Sequence, residues 1–326
     1  MASPSPRPKP PYLPDGWPLG GRPSVHTDVP ITAVFLALFI TAAALHMIIF
    51  QRNKREKHKF RLSLLMFGFS MARVVTCILR IASTAEPRDL SLSIAATVFT
   101  AAGVVLLYIV NLIFVQRMLR SAHPVFGWHP TTTAAFRVAY GVIAATIAAM
   151  ITVVVHSFYT LDTVARRHDH DVVLYGVTLF TAMAFAPVPI ILLCLRGPRD
   201  PFGSGSWHAK LAVLVLGSAL VTFGAAYKAG VQWKGPVPLT QPLPGYLSRG
   251  AFYGSGFAVE VLVALGYAFS RVDRRFWVRD GAHGAGSYSV GRPAVRMEVD
   301  EGKRSSSAVR GSVHGSGEKS EAEGRQ

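Results

Sequence analysis

The apolar positions of this chain fall into seven long runs, at 29–50, 62–83, 91–115, 132–159, 172–195, 211–229 and 251–270. A helix needs roughly 20 residues to cross a hydrocarbon layer of about 30 Å, so each run is long enough to span a membrane. The first, third and fifth are nearly uninterrupted, whereas the second, sixth and seventh carry charged residues inside. The pattern predicts an all-α fold, an integral membrane bundle of seven transmembrane helices over 29–270. Ala-Pro-Val-Pro, with Pro187 and Pro189, should kink the fifth helix and free backbone carbonyls that only a protein interior or a cavity can satisfy. Gly217 and Gly224, seven apart, should allow close packing on the sixth.

The flanks have a different pattern. Residues 1–28 begin MASPSPRPKPPYLPDGWPLGG, a Pro-rich polar tail without the charged start and apolar core of a cleavable signal. Residues 271–280, RVDRRFWVRD, form a basic juxtamembrane segment, expected either to anchor the last helix or to lie flat on an anionic leaflet through Phe276, Trp277 and Val278. From 281 to 326 the chain is Gly, Ser and charged residues without periodicity, the composition of a disordered tail. There Ser305 to Ser307, behind Lys303 and Arg304, would suit a base-directed kinase, although a solvated tail is the simpler reading.

Composition enters at this point. A net charge of +16 and a pI near 10.3 would suggest nucleic acid in a soluble protein, but half the 326 residues are hydrophobic and only 16% are charged. Basic and apolar together describe a membrane protein whose cytoplasmic loops collect Lys and Arg. The stretch HMIIFQRNKREKHKF at 46–60 closes helix one with its first five residues. The rest is a basic turn bracketed by two spans, with Arg52, Lys54, Arg55, Lys57, Lys59 and Arg61 in or beside it. Alternate loops on that side carry fifteen Lys and Arg against eight on the other. The predicted orientation is therefore N-terminus outside and C-terminus cytoplasmic; the membrane is expected to be the plasma membrane in preference to an endomembrane, and no nucleic-acid partner is expected.

The chemistry to weigh lies inside the membrane, where ionisable groups are costly and by default suggest function. Arg73 in helix two and Glu260 in helix seven lie at matching depth, ~17 and ~16 Å from the cytoplasmic edge at 1.5 Å per residue. Stranded separately each would cost several kcal/mol, so they are expected to pair across the bundle. Ser70, Arg73, Cys77 and Arg80 share one face of helix two, and Tyr253, Glu260 and Tyr267 share one face of helix seven. Tyr108 and Asn111 form a shorter polar stripe on helix three, while Arg80 and Lys228 sit near the outer surface, close enough to snorkel towards water. Two readings of this set compete. It is either an interhelical lock or an outward-facing polar cavity in which the arginines meet an anionic headgroup or carboxylate.

Other chemistries find little support. Only Cys77 and Cys194 occur, both inside predicted helices, so no disulfide framework is expected. The outer loop RRHDHD at 166–171 offers adjacent His and Asp, but solvated loop is the better reading than a metal site. There is no Gly-x-Ser-x-Gly elbow, no phosphate-cradling Gly-rich loop, and no helix-seven lysine for retinal, so neither an enzyme nor a cofactor is expected.

Seven helices with an outside N-terminus invite comparison with G-protein-coupled receptors. Helix three, however, ends in NLIFVQR rather than an Asp-Arg-Tyr triplet, and helix seven lacks Asn-Pro-x-x-Tyr. A closer likeness rests on PDGWPLGGRPSVHTDVPITAVFLALF, HMIIFQRNKREKHKF, FGFSMARVVTCILRIA, NLIFVQRMLRSAHPVFGWHP, SFYTLD, FYGSGFAVE and RVDRRFWVRDGAHGAGSY. Across about residues 11–288 the chain resembles an uncharacterised family of fungal seven-helix membrane proteins, some labelled "family C-like G-protein-coupled receptor". A looser likeness of layout links it to fungal lipid-translocating, toxin-resistance seven-helix proteins. The resemblance implies a seven-helix membrane protein without assigning catalytic or binding residues. The expected function is a receptor-like protein or sensor, the alternative a translocator of lipid or amphiphile, and the third and least favoured reading an unrecognised membrane enzyme. The expected partners are the lipid bilayer, an anionic lipid or small amphiphilic ligand, and a cytoplasmic signalling partner.

Overall fold

Hydrocarbon offers no water to backbone N–H and C=O groups, so a spanning run must close its hydrogen bonds within itself, and a helix does so. The computed structural model describes residues 10–12, 16–56, 58–196 and 200–289. Among these, seven helices are long and apolar enough to cross a membrane: α1 (Val25–Arg55), α2 (Leu62–Ala85), α3 (Leu90–Ala122), α4 (Pro130–Ser157), α5 (Thr163–Leu193), α6 (Trp207–Trp233) and α7 (Arg249–Phe269). The chain is thus an all-α, multi-pass membrane protein. Several helix starts carry the local signal that sets them. The Asp89 carboxylate accepts from the N–H groups of Ser91 and Leu92, the Asp162 carboxylate from Val164, and the Ser206 and Ser248 hydroxyls from Ala209 and Ala251.

The central helices are α3 and α7, and α4 and α1 expose the most surface. Outward faces carry Val34, Ile40, Ile48, Phe99, Leu216, Phe223, Leu262 and Phe269, which would be a liability in water and suit contact with lipid. Inside, Phe39, Phe69, Leu107, Phe114, Ile143 and Leu214 are fully buried. Of the two α6 glycines, Gly217 lies against the Tyr267 ring, where an added Cβ would sit 2.1 Å from the hydroxyl. At Gly224 a Cβ would fall 2.7 Å from the Ser255 carbonyl oxygen. Both therefore let α7 approach α6 closely.

Three helices are interrupted, and each interruption positions polar groups. At Gly103 α3 divides into Leu90–Ala102 and Val105–Ala122. At Ala186, just before Pro187, α5 restarts, and the Thr222 hydroxyl of α6 donates to the Ala184 carbonyl at 2.9 Å. That is the satisfaction from a neighbouring helix that a proline-broken span requires. A π-helical stretch, Tyr253–Ala258, interrupts α7. It spreads the turns between Tyr253 and Glu260 while leaving Tyr253, Glu260 and Tyr267 all buried.

Several boundaries differ from the sequence expectation. The first helix begins at Val25 rather than 29, which brings Asp28 out of the tail and into its first turn, where it is buried. At the other end α1 runs on to Arg55, so Arg52, Lys54 and Arg55 occupy its last turn, where cations suit the helix dipole. The stretch 166–171 is helical, the beginning of α5 rather than a loop, and Asp169 is buried beneath His156 at 2.8 Å. Residues 271–280 do not lie flat. Val272–Arg275 makes one helical turn, Phe276 is fully buried and stacks on Phe114 at 4.4 Å between centroids, and Trp277 stacks on His58 at 4.4 Å. The Arg117 guanidinium donates to the Phe276 carbonyl at 2.5 Å. This segment plugs the bundle because its aromatic residues find apolar partners there. The packed region also extends past 281, since Tyr288 is buried against Trp128 and Phe202. Lys57, residues 1–9 and the remainder of the expected tail, 290–326 with Ser305 to Ser307, lie outside the described residues.

The plug is organised by Asp273. Its carboxylate accepts from Arg271 Nε and Nη2, both at 3.0 Å, and from Asn53 Nδ2 at 3.0 Å. Burial alone would raise its pKa, but the hydrogen bonds and positive charges outweigh burial and hold the carboxyl below its ordinary value of 3.8. The stabilisation it supplies is therefore complete above pH 3.8 and is lost as pH falls through the lower folded-state value. Thermal midpoints measured in detergent should show wild type losing its advantage over Asp273→Asn only in that acid range. In α6, Gly217→Ala should displace Tyr267 and cost about 1–3 kcal/mol. Gly230→Ala, where an added Cβ meets nothing within 4 Å, should be neutral in the same unfolding assay.

Candidate functional site

Helix periodicity brings Ser70, Arg73, Cys77 and Arg80 to one inward face of α2, and the first three are fully or almost fully buried. Opposite them stands the inward face of α7. Arg73 Nη2 donates to Glu260 Oε1 at 2.8 Å, and Arg73 Nε lies 2.5 Å from Oε2 in ion-pair contact. The two side chains are 1% and 4% exposed, so the pair is sealed from solvent. The remaining donor, Nη1, reaches the carbonyls of Phe99 at 3.2 Å and Thr100 at 3.0 Å in the last turn before the α3 interruption. Gly103 makes this approach feasible, because a Cβ there would lie 3.0–3.2 Å from the guanidinium. The Phe69 and Phe257 rings flank the guanidinium at 5.9 and 6.0 Å.

A third charge joins the pair. Lys228 of α6 places Nζ 3.5 Å from Glu260 Oε1, with its side chain still 25% exposed. Two cations thus share one carboxylate, and this centre keeps a net charge of +1 with its ionisable groups charged.

A second centre lies two helical turns away along α2 and α7, ~10 Å by helical rise. Its carboxylate is Asp28, fully buried. Asp28 Oδ2 accepts from the Ser24 backbone N–H at 2.8 Å, and Oδ1 from the Tyr253 hydroxyl at 3.0 Å. That hydroxyl also bonds Thr32 at 2.9 Å. Arg249 Nε stands 3.1 Å from Oδ2, and Arg80 Nη2 3.7 Å from Oδ1. Arg80 packs over the Phe252 ring at 4.4 Å, and its Nε and Nη2 have no hydrogen-bond partner among the described residues. Here too two cations face one carboxylate.

Structure and expectation differ in how the candidates group. Arg73 and Glu260 meet. Arg80 and Lys228 belong to different centres, Arg80 with Asp28 and Lys228 with Glu260, instead of sharing one rim. Tyr253 serves Asp28. Tyr267 donates to Asn111 Oδ1 at 2.5 Å in a separate buried pair, whose Asn111 Nδ2 has no partner among the described residues. Tyr108 is buried against Phe180, centroids 5.7 Å apart. In the basic loop Arg52 pairs with Glu56 at 3.1 Å and Lys59 with Asp280 at 3.8 Å, while Lys54, Arg55 and Arg61 are exposed. Sequence reasoning missed Asp28 and Arg249 because both sit at the edges of apolar runs. The available signal was spacing, since Asp28 and Thr32 share a helical face once the helix is begun four residues earlier. Among the described residues no three His, Cys, Asp or Glu side chains gather as a metal-binding set.

Compared with family models, curated proteins and solved structures, the chain matches none of them.

Removing one member of a buried pair leaves the other uncompensated, at a cost of about 3–5 kcal/mol. Arg73→Gln and Glu260→Gln should each destabilise by that order in denaturant unfolding, and the double variant by clearly less than their sum. Lys228→Gln should cost less than Arg73→Gln, because Lys228 is partly exposed and Glu260 keeps its bonds to Arg73.

Proposed function

We propose that this protein is a receptor-like sensor in the plasma membrane, with its N-terminus outside and its C-terminus in the cytoplasm. Its ligand is a small amphiphile with an anionic head, taken up between α1, α2, α6 and α7 from the N-terminal side. The observation that carries this reading is the imbalance of charge in the two centres. Arg73, Lys228, Arg80 and Arg249 face only Glu260 and Asp28, and the cations that remain partly exposed are Lys228, Arg80 and Arg249. Arg80 Nε, without a hydrogen-bond partner among the described residues, and Nη2, held to Asp28 only at 3.7 Å, are the donors an anionic head would engage. The sealed Arg73–Glu260 pair then acts as the lock that fixes α2 against α7, and the second cation beside each carboxylate meets the ligand. An anion at Lys228 or Arg80 competes with Glu260 or Asp28 for the same positive charge. Such competition biases α7, which bears the π-helical stretch between the centres and the plug at its far end.

The test is ligand binding to purified protein in phosphatidylcholine nanodiscs, with oleate and lysophosphatidate as probes and an uncharged monoacylglycerol as control. Anionic probes should raise the thermal midpoint. Arg80→Gln should weaken their binding about tenfold, the loss of one charge-assisted bond, while Arg52→Gln leaves it unchanged. Equal binding of the uncharged control, or no effect of Arg80→Gln, would sink the proposal. Rapid movement of labelled lipid between leaflets by the protein reconstituted alone would transfer the same site to a translocator.

A further inference from the structure

A cleft of about 290 Å³ opens at the basic end of the bundle, away from both charge centres. Three distant parts of the chain build it: the end of α1 with the following turn, the loop before α6, and the segment after α7. Its walls are held by the backbone. Gly203, at φ +53, lies so close to the Arg275 carbonyl oxygen that a Cβ would be 2.1 Å away, so a side chain there would force loop and plug apart. The Ser204 N–H donates to the Arg274 carbonyl at 2.8 Å, fixing the loop to the residue that lines the opposite wall.

The arginines of RVDRRFWVRD divide their work. Arg271 is engaged with Asp273, and Arg275 Nε donates to the Ser270 carbonyl at 2.6 Å. Both hold the plug. Arg274 is exposed, makes no ion pair or side-chain hydrogen bond among the described residues, and lines the cleft together with Arg279. The one carboxylate in the lining, Glu56, is paired with Arg52 at 3.1 Å. Trp277 and Phe202 form apolar wall, and Asn53, His58 and the Ser204 hydroxyl supply polar edge.

We infer that this cleft binds a phosphate-bearing headgroup, with Arg274 as its principal contact. The cleft adjoins the ends of α1 and α7, at the level where headgroups meet water and where Trp is favoured. Its volume, at ~30 Å³ per water, equals about ten waters, which admits a headgroup and excludes acyl chains. An arginine without an ion-pair partner supplies the planar donor fork that phosphate oxygens take. The source of the phosphate is an anionic lipid of the adjoining leaflet or a free phosphate ester in solution. Either engages the same donors.

The experiment titrates the full chain, in phosphatidylcholine nanodiscs, with a short-chain phosphatidylinositol monophosphate, reading tryptophan emission against a Trp277→Phe control. Saturable binding lost in Trp277→Phe emission, weakened at least tenfold by Arg274→Gln and partly restored by Arg274→Lys, is the expected result. Arg61→Gln, an exposed arginine at the same end but outside the lining, should bind as wild type. Unaltered affinity in Arg274→Gln, or an equal loss in Arg61→Gln that reveals only diffuse attraction, overturns the inference. Thermal unfolding of Arg274→Gln, expected to match wild type, separates lost binding from lost folding. If Arg274→Gln does not fold, Arg274→Lys takes its place and must bind measurably more weakly than wild type for the inference to stand. Inositol monophosphate that binds as tightly as the short-chain lipid assigns the site to a soluble phosphate ester, and an affinity at least tenfold weaker assigns it to the lipid.

Discussion

A guanidinium and a carboxylate withdrawn into an apolar bundle each lose several kcal/mol of hydration, and only close, nearly complete pairing recovers it. The Arg73–Glu260 contact meets that requirement, and much of the surrounding structure follows from it. Two further helices must present groups to the one guanidinium of α2: α7 the carboxylate, and α3 the carbonyls of Phe99 and Thr100. Gly103 and the interruption in α3 let the backbone come that close. Lys228 then finds its counter-ion already engaged, which leaves the centre with an excess of positive charge.

The same need to satisfy polar groups explains why the bundle is irregular where it is. A proline pair breaks α5 beside a threonine on α6 that caps the carbonyl at the break. The α7 stretch Tyr253–Ala258 winds wider between two carboxylate centres, neither of which can be moved without exposing a charge. Small residues on α6 face both the Tyr267 ring and the Ser255 carbonyl, so α7 is clamped along its length. One helix therefore touches Asp28 through Tyr253, carries Glu260, bonds Asn111 through Tyr267, and continues into the plug at Phe276.

The basic end has two layers of charge. Outer cations such as Lys54, Arg55 and Arg61 are exposed on the surface of the bundle. Inner cations act as donors to the backbone. Arg117 bonds the Phe276 carbonyl and Lys210 the Phe202 carbonyl, and Arg120 lies 4.2 Å over the Trp128 ring. A count of Lys and Arg merges these layers, because charge alone does not distinguish an anchor from a buried donor.

The chain by itself determined the seven helices, the pairing of Arg73 with Glu260, the break in α5 and the close approach at Gly217 and Gly224. Each follows from a rule that acts along one helix or on one uncompensated charge: length against bilayer thickness, the cost of an unpaired ion, a missing N–H, a missing side chain. Tertiary structure alone decided that Asp28 is buried, that Arg80 and Lys228 serve different carboxylates, that 271–280 folds inward, and that Arg274 faces a cleft while its neighbours hold the plug. Those outcomes depend on which helices become neighbours and how they are rotated. A carboxylate at the edge of an apolar run looks the same in sequence whether it meets water or two arginines, and only the packed bundle distinguishes them.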